Sequence, residues 1–347
     1  MIDLNNLEDI QKLDPKNVFG STGMLADQCT QIWQDTKQVT FPENYKQLDN
    51  IIICGMGGSA YGGHIVKELF KQELPLPIYI NSDYHLPGFA TENSLIVLTS
   101  YSGSTEESLS NAQEALKLGA KITGVTSGGK LGEFLKTNNF PALIFSSQFN
   151  PSNQPRLGTG YIILGTIALF NQLGILSVSD QQATAAIEEL KANHETIKFQ
   201  AQETAKKIMG NLPMIFGADF LVGNAHIMRN QFNETSKSFS AFSEIPELNH
   251  HLMEGLKYPS DKKLIALILN SNFYEERIAK RTQLTEEIVT KNNIPVATYT
   301  PLGSDKLSQM LNVLSFGGYV TVYLGLLYGE DPSLIPWVDY FKEQLSK

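Results

Sequence analysis

Ile51, Ile52, Ile53 and Cys54 run without a polar break into the turn G-M-G-G-S-A-Y-G-G, and helical spacing resumes at H-I-V-K-E-L-F. A short β-branched run that does not alternate must be covered on both faces, the situation of a central strand in a parallel sheet. P-I-Y-I at 77–80, S-L-I-V-L-T-S at 94–100, A-K-I-T-G-V-T-S at 120–127 and A-L-I-F at 142–145 predict four more strands. The third strand is followed by a clear helix, T-E-E-S-L-S-N-A-Q-E-A-L-K-L, closed by Gly119 as its C-terminal cap. Strands alternating with helices predict an α/β fold with a doubly wound, mostly parallel sheet.

The pattern recurs. L-P-M-I-F-G-A-D at 212–219 and K-L-I-A-L-I-L-N-S at 263–271 repeat the first and third strands about 162 and 168 residues later. A charged helix and P-V-A-T-Y-T follow. The chain therefore divides into a helical lead-in (1–45), a first α/β unit (46–150), connecting helices (151–210), a second unit (211–303) and C-terminal helices (304–347). The second unit lacks the hydroxyl-rich turn described below.

Composition excludes several function classes. A net charge of −9 over 347 residues, with no basic stripe, argues against nucleic acid. Cys29 and Cys54 are the only cysteines and stand in no metal-ligand spacing, which fits a reducing compartment. The N-terminus is too acidic and polar for a signal peptide. The uncharged stretch 313–329 brushes membrane-span length, but its interior glycines, Ser, Thr and tyrosines read as a buried core helix. The expectation is a cytoplasmic protein with no membrane partner.

The sharpest chemical signal is L-I-V-L-T-S-Y-S-G-S-T-E-E-S at 95–108, an apolar strand that ends in six hydroxyl residues. In an open α/β sheet ligands bind beyond the carboxyl ends of the strands, near the switch in strand order. Ser59 closes the first such turn with Gly57 and Gly58; Ser100, Ser102 and Thr105 form another at a helix N-terminus. Unpaired N–H groups and the helix dipole there favour an anion. Hydroxyls added to those amides make a site for a terminal phosphate without a lysine. A capped helix start, with Ser104 or Thr105 as N-cap, explains one or two of the hydroxyls but not the string. Gly55-x-Gly57-x-x-Ala60 also fits a relaxed dinucleotide fingerprint, with Asp83 in place for a ribose. A nicotinamide dehydrogenase is therefore a rival reading.

G-M-G-G-S-A-Y-G-G together with S-Y-S-G-S-T-E-E-S resembles the phosphosugar-binding sugar isomerase (SIS) domain. S-D-Y-H-L-P at 82–87, T-S-G-G-K-L at 126–131, Q-P-R-L-G-T-G-Y at 154–161, N-E-T-S-K at 233–237 and E-L-N-H-H at 247–251 extend the likeness along the chain. In order and spacing they resemble the bifunctional phosphoglucose/phosphomannose isomerase family, in which two SIS-type, flavodoxin-like units are fused. The resemblance covers nearly everything after about residue 45.

That family implies an aldose–ketose isomerase linking glucose 6-phosphate, and mannose 6-phosphate, to fructose 6-phosphate through a cis-enediolate. Such chemistry needs a fixed base for a carbon-bound proton, positive charge where the enediolate develops and a group that opens the sugar ring. The resemblance assigns Glu234 as the base and His250 as the ring-opening group, supplied across a homodimer interface. It places Arg156 at the enediolate and Lys342 near the ring oxygen, with no metal and no cofactor. Outside the resemblance each of these four reads as an ordinary surface or ion-paired residue. His251 leaves open which imidazole acts. The chain departs from the family pattern in S-G-S-T, in L-G-T-G-Y after Q-P-R, and in L-M-E-G after N-H-H. The last change bears on the mannose activity. A non-catalytic phosphosugar sensor, or an isomerase of another sugar phosphate, would keep the hydroxyl turn and is the alternative reading.

Overall fold

The computed structural model describes residues 2–345 and 347. Among the described residues, nine strands form two parallel sheets. In the first, β1 (Asn50–Cys54), β2 (Ile78–Asn81), β3 (Ser94–Ser100), β4 (Lys121–Thr126) and β5 (Leu143–Ile144) lie in the order β2-β1-β3-β4-β5. In the second, β6 (Leu212–Ala218), β7 (Ala241–Ile245), β8 (Leu264–Leu269) and β9 (Val296–Tyr299) lie in the order β7-β6-β8-β9. The internal repeat is thus visible in topology: β6 sits between β7 and β8 as β1 sits between β2 and β3.

β1 and β3 are paired from Asn50↔Ser94 to Cys54↔Leu98, and β3 is buried at every residue. The β-branched runs therefore occupy the sheet centre, as their lack of alternation requires. β7 is the strand that the sequence pattern did not reveal. A-F-S-E-I lies on the sheet edge, with Ala241 and Glu244 exposed, so it carries no unbroken apolar run.

Strand order reverses between β1 and β3, which brings the turns after these two strands side by side at the carboxyl end of the first sheet. The helix Glu106–Leu118 follows β3 and ends at Gly119, whose φ is +73°. Behind the sheets, the helix Lys306–Leu327 is buried over nearly its whole length and packs on His194–Ile208, Val222–Thr235 and Asp180–Ala192. Its most apolar stretch is long enough to cross a membrane but 94% buried inside the protein. It is a core helix, as its glycines and hydroxyls suggest. The last helix, Pro336–Leu345, has no buried residue.

Candidate active site

The hydroxyls after β3 separate into two groups. Thr99 donates to the Cys54 carbonyl at 3.1 Å, and Ser108 donates to the Thr99 carbonyl at 3.3 Å. These two hold strand and helix together. Ser100 and Thr105 face each other at 2.8 Å between hydroxyl oxygens, and Ser102 and Ser104 at 3.0 Å. Gly103, at φ +67°, makes the turn possible: a Cβ there would lie 1.8 Å from the Gly128 carbonyl oxygen. Its N–H donates to Ser100 Oγ at 3.1 Å.

Thr105 occupies the N-cap position of Glu106–Leu118, but among the described residues no side chain, its own hydroxyl included, caps that helix. The capped-start reading of the hydroxyl string therefore fails. The first-turn N–H groups keep their partial positive charge. Ser59 ties the two turns together by accepting the Tyr101 N–H at 3.0 Å, which leaves its own proton to donate. Gly57 takes φ +51°, with nothing within 4 Å of a Cβ placed on it. The Gly57–Ala60 turn thus presents open backbone beside the hydroxyls. Asp83, the residue a dinucleotide site would need, accepts the N–H groups of Tyr84 (2.6 Å) and His85 (3.4 Å) and so caps its own turn.

The Pro155–Leu157 turn packs directly on this region: a Cβ on Gly58 would sit 3.5 Å from the Arg156 Cα. Arg156 is only 3% exposed. Its Nη2 donates to the carbonyls of Pro332 (2.8 Å) and Ser333 (3.0 Å), and Nη1 to Gln154 Oε1 (3.0 Å). Nη1 also lies 3.9 Å from a carboxylate oxygen of Glu234. Among the described residues, Arg156 Nε is buried without a hydrogen-bond partner, as is the hydroxyl of Tyr61.

Glu234 comes from the last turn of the helix Val222–Thr235. Burial pushes its pKa above the usual glutamate range, while Arg156, Lys342 and Lys237, in falling order, pull it back. The same balance surrounds Lys237, whose pKa is lowered to about 8 by burial and then by the charge of Arg156. Lys237 and Tyr61 were not singled out from the sequence. Lys237 stands inside the quoted N-E-T-S-K, and its signal was position: it directly follows a helix end.

Arg156 and Glu234 therefore meet beside the two hydroxyl-bearing turns, and Lys342 approaches closely enough for its charge to be felt. His250 does not join them within one chain. It is exposed at the end of the Glu247–His250 turn that follows β7. β7 runs parallel to β6, whereas the Val222–Thr235 helix returns over about 21 Å before presenting Glu234. The two residues lie at opposite ends of this unit. His251 Nε2 is 3.7 Å from Glu247 Oε1.

Residues 197–345 match the bacterial phospho-glucose isomerase C-terminal SIS domain. A bifunctional phosphoglucose/phosphomannose isomerase from Aquifex aeolicus is 31% identical over 317 residues, covering 91% of this chain and 94% of that protein. The chain belongs to the bifunctional phosphoglucose/phosphomannose isomerase family. The family member from Caldicellulosiruptor bescii is 29% identical over 345 residues, covering 95% of this chain and 99% of that protein. A D-glucosamine-6-phosphate 4-epimerase from Sulfolobus acidocaldarius is 26% identical, covering 77% of this chain and 85% of that one. Among solved structures, a hypothetical protein from Thermus thermophilus superposes with a TM-score of 0.73 at 14% identity, covering 97% of this chain and 91% of that one. A phosphosugar isomerase candidate from Clostridium difficile superposes with a TM-score of 0.70 at 16% identity, covering 92% of this chain and 95% of that one. These two superpositions show the same fold over nearly all of the chain.

Proposed function

We propose that this chain interconverts glucose 6-phosphate and mannose 6-phosphate with fructose 6-phosphate, and that residues 46–150 and 211–303 are its two SIS units. The observation that carries the reading is the meeting of Glu234 and Arg156 beside the turn that Ser59 ties to the hydroxyl loop. The phosphate sits on Ser59, Ser100, Ser102 and Thr105 with the open backbone at Gly57 and Gly58, and its binding energy holds the reacting carbons in register. Glu234, raised toward neutrality by burial, takes the proton from C2 of the open-chain aldose and returns it to C1. Arg156 faces the developing enediolate oxygens. Lys342 stands near the ring oxygen, and His250 of the partner subunit opens the ring, so the working unit is a homodimer. Mannose 6-phosphate is accepted where rotation about C1–C2 offers the other face to the same base. The reaction needs no metal or cofactor, and the protein works in the cytoplasm.

The test is the initial rate of fructose 6-phosphate formation from each aldose phosphate with EDTA present, with consumption of glucosamine 6-phosphate followed separately as the control sugar. Turnover of glucose and mannose 6-phosphate supports the reading. Turnover of the amino sugar alone would assign another sugar phosphate, and phosphosugar binding with no turnover of any would make the chain a sensor.

A further inference from the structure

The helix Val222–Thr235 closes at Ser236, and the next residue, Lys237, takes φ +54°. This left-handed position just beyond a helix end is the ordinary place of glycine, because a Cβ is strained there. Residues kept in such conformations cluster at functional sites, where the surrounding structure holds them. Here a lysine bears that strain.

That side chain reaches a defined target. Lys237 Nζ donates to the carbonyl of Asp331 at 2.7 Å and to that of Thr235 at 3.1 Å. Arg156 donates to the next two carbonyls, Pro332 and Ser333. Three consecutive carbonyls are therefore held by two cations from different parts of the chain. The charged groups felt at Lys237 are Arg156, Asp331, Glu330 and Glu234, and among the described residues no carboxylate lies within 4 Å of its Nζ. The segment so held joins the core helix Lys306–Leu327 to the helix Pro336–Leu345. That last helix has no buried residue, so the fastening of its leading segment bears on its placement. It carries Lys342, whose charge reaches Glu234.

We propose that Lys237 is a positioning residue: with Arg156 it fastens residues 331–333 as a strap, and the strap sets where the terminal helix presents Lys342 to Glu234. Its kinetic consequence rests on the isomerase reading above; the strap itself does not.

Lys237→Gly is the direct test, because glycine fits the backbone and removes only the side chain; Lys237→Met, which keeps the stem, serves if the glycine variant does not fold. Hydrogen exchange across 328–345 reads the strap without any turnover, and amides there exchange about tenfold faster in the variant if the strap is released. The kinetic arm is a double-mutant cycle with Lys342→Met. Lys237→Gly lowers kcat between about ten- and a hundredfold with KM for the sugar phosphate little changed, and Lys342→Met then costs a smaller factor in that background than in the wild type. Unchanged exchange, or the same factor for Lys342→Met in both backgrounds, overturns the proposal. If the wild type isomerises nothing, the activity reading falls while exchange still decides the strap.

Discussion

Arg156 Nη1 and the nearer carboxylate oxygen of Glu234 are 3.9 Å apart, close enough for attraction and too far for a hydrogen bond. The guanidinium instead turns Nη1 to Gln154 and Nη2 to Pro332 and Ser333. Among the described residues no hydrogen bond reaches the carboxylate, while the positive charge beside it limits how far burial can raise its pKa. On the proposed reading only ionised Glu234 serves as a base, so the acid limb of kcat/KM is expected above the ordinary glutamate range, with activity lost as pH falls through it. Lys342→Met removes a charge that favours the ionised form and shifts this limb to higher pH. Arg156→Lys, which cannot reproduce the forked contacts, lowers kcat by about a hundredfold. A pH–rate series on the three proteins checks both statements.

Ser59 and Ser102 separate fold from ligand. Ser59 is buried and accepts the Tyr101 N–H, so Ser59→Ala leaves a buried donor unpaired at a cost of about 1–3 kcal/mol. Ser102 is exposed, and Ser102→Ala leaves the melting temperature unchanged. Both variants weaken binding of inorganic phosphate and raise KM for the sugar phosphate. Calorimetry with phosphate and a thermal melt, run side by side, distinguish the two residues.

His64 and His226 stack face to face across the contact between the two units, with centroids 3.8 Å apart. Burial holds both well below the ordinary histidine range, His64 to about 4 and His226 to about 3, with further repulsion from Lys67 on the first, from His64 on the second and from Arg229 on both. Unfolded chains bind these protons at about pH 6.5. The protein therefore loses stability as pH falls from about 6.5 towards 4, and His64→Phe flattens that loss. Chemical denaturation at about pH 7 and about pH 5 on both proteins measures it.

His250 and Glu234 occupy opposite ends of the second unit in one chain. If each site takes its histidine from the partner subunit, inactive Glu234→Gln and His250→Ala proteins regain activity when mixed and allowed to exchange subunits. Half the dimers are then mixed and each holds one intact site, so recovery approaches about a quarter of wild type for a two-fold dimer. No recovery, with exchange confirmed by mass, removes the shared-site arrangement; restoring activity through His251 instead would reassign the imidazole.

Most of the parallel core was legible in the sequence because its strands are unbroken β-branched runs, and β1 and β3 needed no further information. β7 was not, since an edge strand with exposed Ala241 and Glu244 carries no continuous apolar signal. The hydroxyl string pointed to a phosphate, yet the sequence could not tell that Thr99 and Ser108 serve the backbone while Ser100, Ser102, Ser104 and Thr105 remain at the turn. Lys237 was hidden for a different reason. Its importance lies in a backbone angle and in a carbonyl 94 residues away, and neither leaves a mark on composition or spacing.

In the proposed reaction Glu234 moves the proton. Glucose 6-phosphate turnover and calorimetric binding of the same sugar, measured on wild type and Glu234→Gln, test it most directly. The expected result is that the variant binds the sugar phosphate within about threefold of wild type and loses at least about a thousandfold in kcat. A variant that still turns over within about tenfold of wild type would contradict it.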